Sequence, residues 1–360
     1  MIARVFAFTF VTAVFCHSVI AQEKKIPKRI RFSPLPVVYY SPETRLGFGV
    51  LLAANTNLAE DSLTTGSYFQ SSFIYTLNKQ YEWANNGRIY FPQNKRIAQY
   101  RFVYSYFPEF FHGYQTQQPE DFKELIEYNR LFFEGRHYWK LKKFVYAGVF
   151  ARINRIYNLS PVTEGTFLTV APPGHQGYTI AGFAPAFHID SRNSQIFPRK
   201  GFYLELLWGT YPAAISDHAY SNVLMDVRYY KPVNLLKEDV VAVQFLMNLN
   251  NGTVPFRDMA DVGGPRTMRG YYTGYYRYKN LWAMQIEYRF MISKLFGFTT
   301  WVGACASSEK ANDPFRHSIK PNAGVGFRLR INQSDKLNLR ADYGMGKNQS
   351  GLYLDASEAF

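Results

Sequence analysis

Apolar residues recur at every second position along most of this chain. Residues 68–78 set Phe69, Phe73, Tyr75 and Leu77 on one face and Gln70, Ser72 and Thr76 on the other. Residues 97–107 set Ala98, Tyr100, Phe102, Tyr104 and Tyr106 against Gln99, Arg101 and Ser105. The same alternation runs through 202–208, 223–229, 241–249, 284–290, 323–331 and 337–345, where Leu337, Leu339, Ala341, Tyr343 and Met345 oppose Asn338, Arg340 and Asp342. A period of two means a β-strand with one apolar and one polar face. The pattern predicts strands over 45–57, 66–78, 81–91, 95–107, 125–137, 142–155, 177–190, 200–210, 218–231, 238–250, 277–291, 295–306, 318–331, 335–345 and 349–360.

These segments are longer than the roughly five or six residues usual in soluble sheets. Many end in Tyr or Phe, as the girdles of a membrane barrel do. The expected fold is therefore all-β, a transmembrane antiparallel barrel with its apolar face to lipid and its polar face to the lumen. Bacterial barrels have even strand numbers, so fifteen segments imply one more in the N-terminal half, and sixteen strands in all.

Met1 to Ala21, with Arg4 ahead of an apolar run from Val5 to Phe15, reads as a secretory signal peptide cleaved after Ala21. Residues 22–40, interrupted by Pro27, Pro34 and Pro36, read as a short periplasmic segment, and 41–360 as the barrel. Export, barrel patterning and a Gram-negative outer membrane go together. Of the 2 cysteines Cys16 leaves with the signal peptide, so Cys305 supplies neither a disulfide nor a cysteine metal site. The net charge of +14 falls to +13 without Arg4. Its basic residues are spread over loops and strands with no recognition module. They point to outer-membrane lipid and lipopolysaccharide rather than to nucleic acid. The 7 histidines are scattered singles. His188 and Asp190 share a strand face, but no Ser joins them, so the chain is read as no enzyme and no cofactor is expected.

Connections 108–124, 156–176 and 251–276 are candidate extracellular loops. The last carries Gly263-Gly264-Pro265-Arg266 and Met268-Arg269-Gly270-Tyr271-Tyr272. Glycine permits backbone shapes closed to other residues. Such a loop either folds into the lumen as a plug or stays outside with an ordinary surface arginine.

Four segments together resemble the barrel domain of the BamA/TamA superfamily, the bacterial surface antigen family of outer-membrane assembly and translocation proteins. Tyr40-Ser41-Pro42-Glu43-Thr44 with Gly47-Phe48-Gly49 resembles its entry into the first strand. Asp190-Ser191-Arg192-Asn193 with Phe197-Pro198-Arg199-Lys200-Gly201 is similar to a conserved turn of the family. Arg269-Gly270-Tyr271 resembles the tip of its sixth extracellular loop. Glu287 and Arg289 stand where its next strand carries an inward acid. The chain ends at Phe360 after Leu352, Leu354, Ala356 and Glu358, as family barrels do.

The resemblance implies an inward loop with Arg269 paired to Glu287, and the polar parity of Glu287 agrees. The family's further inward Asp on the following strand is missing, with Gly303 at that position, and Asp190 and Asp226 are candidate substitutes. The periplasmic repeats (POTRA domains) that precede family barrels have no counterpart before residue 41. A periplasmic partner or self-association would then replace them. The resemblance implies insertion or translocation of client outer-membrane proteins at a seam between the first and last strands, where Gly47, Gly49, Gly344, Gly346 and Gly351 would weaken pairing. The alternatives are an anion-favouring channel lined by Arg101, Arg228, Arg328, Arg330 and Arg340, or an accessory barrel that depends on a separate partner.

Overall fold

The computed structural model describes residues 30–41, 45–59, 61, 63–113, 123–163, 165–315, 319–333, 336–356 and 358–360. The signal-peptide reading and Pro42, Glu43 and Thr44 lie outside them. The strands in chain order are β1 Arg31–Ser41, β2 Arg45–Thr56, β3 Ser67–Thr76, β4 Tyr81–Tyr90, β5 Arg96–Phe111, β6 Glu124–Lys142, β7 Val145–Pro161, β8 Tyr178–Asp190 and β9 Gly201–Tyr211. They continue with β10 Tyr220–Lys231, β11 Lys237–Gly252, β12 Ala260–Val262, β13 Tyr276–Tyr278, β14 Asn280–Met291, β15 Phe296–Ser308, β16 Lys320–Asn332, β17 Leu337–Gly346 and β18 Gln349–Ala356. Among the described residues, all but β12 and β13 form one 16-stranded sheet in which sequence neighbours pair. β12 and β13 pair only with each other, inside the connection from β11 to β14.

The sheet curls so that its polar parity faces inward. Along β14, Glu287 and Arg289 are 0% and 1% exposed, while the alternate Met284 and Ile286 are 48% and 41% exposed. Trp83, Phe133, Phe183, Trp208, Val302 and Val325 extend this exposed apolar band around the outer surface. An apolar surface of that extent is a membrane-facing one. The strand ends that flank the long connections, Phe111 and Glu124, Pro161 and Tyr178, Gly252 and Asn280, Ser308 and Lys320, lie at one end, and most of the connections at the other end are short turns. β5, β6 and β7 have 16, 19 and 17 residues. At roughly 3.3 Å per residue β6 runs ~60 Å, well beyond what a tilted strand needs to cross a bilayer.

Two sequence expectations change. Residues 31–40 are not a periplasmic segment: they belong to β1, which pairs with β2 from Arg31↔Asn55 to Ser41↔Arg45. Pro34 and Pro36 obscured it. They stand two residues apart, so both missing N–H groups fall on one edge, and a strand at the end of a sheet has an edge without a partner. Second, the last strand stops at Ala356 rather than 360. Beyond it Glu358, Ala359 and Phe360 turn inward, and Phe360 packs on Tyr230, Val240 and Ala242. Among the described residues β1 and β18 are the two ends of the sheet and do not pair with each other.

The turn from β10 to β11 shows how one side chain sets a local shape. The Asp239 carboxylate accepts backbone N–H bonds from Asn234, Leu235 and Leu236, each at 2.8 Å, and one from the Tyr288 hydroxyl at 3.1 Å. Asp239→Ala removes the acceptor for all of them. The expected loss is about 1–3 kcal/mol, seen as a lower urea midpoint in detergent micelles with an unchanged slope.

Candidate functional site: the inward loop and its arginine

The connection from β11 to β14 does not stay outside. Val254, Phe256 and Met259 pack with Phe111, Ile126, Tyr128, Ile156, Tyr178, Ile180, Tyr211 and Tyr220 from the walls of β5 to β10. Arg257 and Arg277 meet Glu109 of β5 at 3.1 and 3.2 Å. Asp258 accepts from the Tyr178 hydroxyl at 2.5 Å and from Asn154 at 2.9 Å. The connection thus crosses the interior from the β11–β14 wall to the β5–β8 wall, and the plug reading holds over the surface one.

Its tip reaches the opposite side, on β14 to β18. Gly263, Gly264 and Gly270 have φ of +109°, +110° and +117°, values that L side chains rarely adopt. Gly270 is needed twice, since a Cβ there would stand 2.6 Å from the Met345 carbonyl carbon. Facing it, a Cβ on Gly344 would stand 2.6 Å from the Arg269 carbonyl, and one on Gly346 2.5 Å from the Tyr271 ring. Gly344 and Gly346 therefore serve the docking of the loop, whereas the sequence pattern pointed to seam weakness. The Tyr271 hydroxyl donates to the Pro321 carbonyl at 2.6 Å and accepts from the Lys347 N–H at 3.0 Å. The Gly270 N–H donates to the Tyr353 hydroxyl at 2.9 Å, tying the tip to β18.

Arg269 is fully buried. One guanidinium nitrogen pairs with Glu287 and the other meets Asp342 at 2.5 Å. The plane lies 3.6 Å from the Trp301 ring centroid, and Asn322 donates to the Arg269 carbonyl at 2.9 Å. Glu287 also takes Arg289 at 2.5 Å. Asp342 also takes Arg328 at 2.6 Å and Arg340 at 2.8 Å. Arg328 and Arg340 stand directly opposite each other across β16 and β17. Like charges so placed repel, and the shared Asp342 offsets this. Glu358 joins Arg328 at 2.8 Å and Asn338 at 2.8 Å. Arg289 donates to the Phe360 main-chain oxygen at 3.0 Å and lies 5.0 Å over its ring. Arg269, Arg289, Arg328 and Arg340 are thus matched by Glu287, Asp342, Glu358 and Asp355. Such a cluster fixes position more than it adds stability, because desolvation offsets the attraction.

The expected Arg269–Glu287 pair is present, and Arg289 joins it. The expected substitutes for the missing Asp are not there. Asp190 is held by Arg192 at 2.8 and 2.9 Å, and Asp226 by Arg228 and Gln244. Asp342 on β17 takes the place instead, three strands along the sheet from Glu287. Its inward parity is readable in the sequence; that β17 curls to meet the loop tip is not. Gly303 leaves room for Asn322, whose Oδ1 a Cβ would approach to 2.4 Å.

Asp190, Arg192, Pro198 and Gly201 form a separate structure at the short-turn end. Gly201, at φ +120°, permits a turn too tight for a Cβ, which would stand 2.4 Å from the Ser191 carbonyl oxygen. Pro198 is buried beside Phe197. Gln195 accepts from Arg88 of β4 at 3.0 Å, Arg199 donates to the Asp239 carbonyl of β11 at 3.4 Å, and Arg330 of β16 lies 5.0 Å from the Phe197 ring. This turn touches three separated walls and lies across the second mouth of the lumen.

None of the curated proteins matches this chain in sequence. Among solved structures, BamA from Haemophilus ducreyi lacking POTRA domains 1-3 is similar in fold at 13% identity and a TM-score of 0.57, over 91% of this chain and 70% of that one. CdiB from Acinetobacter baumannii is similar at 9% identity and a TM-score of 0.52, over 91% of this chain and 58% of that one. The sequence model of the Omp85 superfamily domain matches residues 39–360, which include the inward loop, its arginine and every carboxylate that holds it, and the chain belongs to that superfamily.

Proposed function

We propose that this barrel sits in the outer membrane of a Gram-negative bacterium, long loops outward, and inserts or translocates other polypeptides through the seam between β1 and β18. The observation that carries the reading is the pair of strand edges, on β1 and β18, left unpaired among the described residues. β1 offers 11 residues and β18 only 8, because the chain turns into the lumen after Ala356. An unpaired strand edge is a template on which an extended client adds as a further strand. The clients are other outer-membrane proteins, delivered by a periplasmic partner or by a second copy. The fold shared with BamA and CdiB supports an assembly or translocation role.

A passive anion channel has less support. Of the five arginines that would line it, Arg228, Arg328, Arg330 and Arg340 are held in ion pairs, and only Arg101 is exposed. Side chains of the inward connection pack inside the barrel against the walls of β5 to β10.

The test is a liposome assay. The full chain should speed the folding of an unfolded outer-membrane barrel protein above the rate in empty liposomes. A double variant, Pro36→Cys with Leu352→Cys, joined by a reducible thiol crosslinker, should lose the acceleration and regain it on reduction. Cys305, 2% exposed, is sheltered from the reagent. Full acceleration with the seam tethered would remove the seam from the mechanism, and no acceleration by the untethered chain would remove autonomous insertion.

A further inference from the structure

The short-turn end interleaves lysines with large exposed apolar side chains. From β6 to β7 run Lys140, Leu141, Lys142, Lys143 and Phe144, with Leu141 61% exposed. From β10 to β11, Lys231 is followed by Leu235 and Leu236, 77% and 50% exposed. From β14 to β15, Lys294 lies between Ile292, 60% exposed, and Leu295. In water each protruding leucine is unfavourable. At a bilayer edge the same arrangement fits, with the ammonium groups among phosphates and the apolar side chains among acyl chains.

One place in this collar is a half-open groove: Tyr229, Lys231, Pro232, Val233, Val241 and Val243 line about 410 Å³ on the outer face of β10 and β11. The pairing of β11 with β14 shifts register between Lys237 and Val240 beside it. The nearby acids are committed elsewhere. Asp239 caps the backbone of the turn, and Glu238 holds Arg330 at 2.7 Å and Lys336 at 2.8 Å. Lys231 thus stands exposed at the mouth of an apolar groove that faces the membrane.

We propose that this groove is a binding site for an anionic phospholipid of the periplasmic leaflet. One acyl chain lies against Tyr229, Val241 and Val243, and the phosphate meets the Lys231 ammonium. Charge complementarity selects the headgroup, and the apolar walls select a lipid over a soluble phosphate. The site depends on the membrane-spanning fold and not on whether the seam opens.

The experiment is native mass spectrometry of the full chain in detergent, titrated with phosphatidylglycerol or phosphatidylcholine of the same acyl chains. Phosphatidylglycerol should be retained at several-fold lower concentration. Lys231→Gln should weaken that retention about fivefold, the factor expected for one cation near an anionic lipid surface. Lys310→Gln, an exposed lysine at the long-loop end, should leave it unchanged. Equal retention of the two lipids, or no effect of Lys231→Gln, would overturn the site. So would displacement of the bound lipid by glycerol 3-phosphate alone, since the acyl groove would then contribute nothing.

Discussion

Arg269→Ala should destabilise the folded barrel by about 3 kcal/mol and release the loop from the wall. The magnitude follows from what the substitution leaves behind. Removing one member of a buried ion cluster typically costs about 3–5 kcal/mol, because the partner charge stays buried without compensation. Here neither carboxylate is left alone. Glu287 keeps Arg289, and Asp342 keeps Arg328 and Arg340. The loss therefore belongs at the lower end of the range. It includes the contact of the guanidinium with Trp301 at 3.6 Å. Urea unfolding in detergent micelles measures the stability. Trypsin reports the loop, because Arg277 is 4% exposed while the loop is docked and becomes cleavable once the tip lifts. Adding Glu287→Gln to Arg269→Met should recover part of the loss, since the excess buried negative charge is then gone. A wild-type midpoint and digestion pattern for Arg269→Ala would show that the cluster does not hold the loop.

Gly270→Ala should cost about 3–4 kcal/mol, clearly more than Gly264→Ala at about 1–2 kcal/mol. Both residues have φ near +110°, so both substitutions carry the strain of placing an L side chain there, of order 1–3 kcal/mol. They differ in what the new methyl meets. At Gly264 the nearest atom is the Thr273 hydroxyl oxygen at 2.9 Å, on a side chain that can rotate away. At Gly270 the methyl meets the backbone of Met345 and Gly346 at 2.6 to 2.8 Å, within a paired strand that cannot give way. Overpacking of that kind adds about 1–3 kcal/mol. The difference between the two midpoints thus measures the docking of the loop tip on β17. Equal losses would mean that the tip does not rest there.

Much of this architecture is legible in local spacing alone. The two-residue period marks every strand of the sheet except β1, and the long apolar faces distinguish a membrane barrel from a soluble sandwich. The Arg269–Glu287 pair is implied by the resemblance of the loop to the BamA/TamA superfamily, and the polar parity of Glu287 agrees with it. The strand period and that parity are local properties: they depend on spacing along one strand. β1 escapes the pattern because two prolines normally argue against a strand, and only its place at the end of the sheet makes them tolerable.

The rest is decided by closure of distant parts on one another. Asp342, rather than Asp190 or Asp226, completes the cradle of Arg269, because the curl of the sheet carries β17 under the loop tip. Gly344 and Gly346 face the loop for the same reason. Alternation marks residues 349–360 as one strand, yet Glu358 and Phe360 turn inward, where Arg328, Asn338 and Arg289 wait on other strands. The groove beside Lys231 brings residues of β10 and β11 together with the turn between them, a juxtaposition that no spacing along one strand announces. A sequence period states which face a side chain takes on its own strand. Which strands meet across the lumen depends on curvature summed over the whole sheet, and that sum exists only in the folded chain.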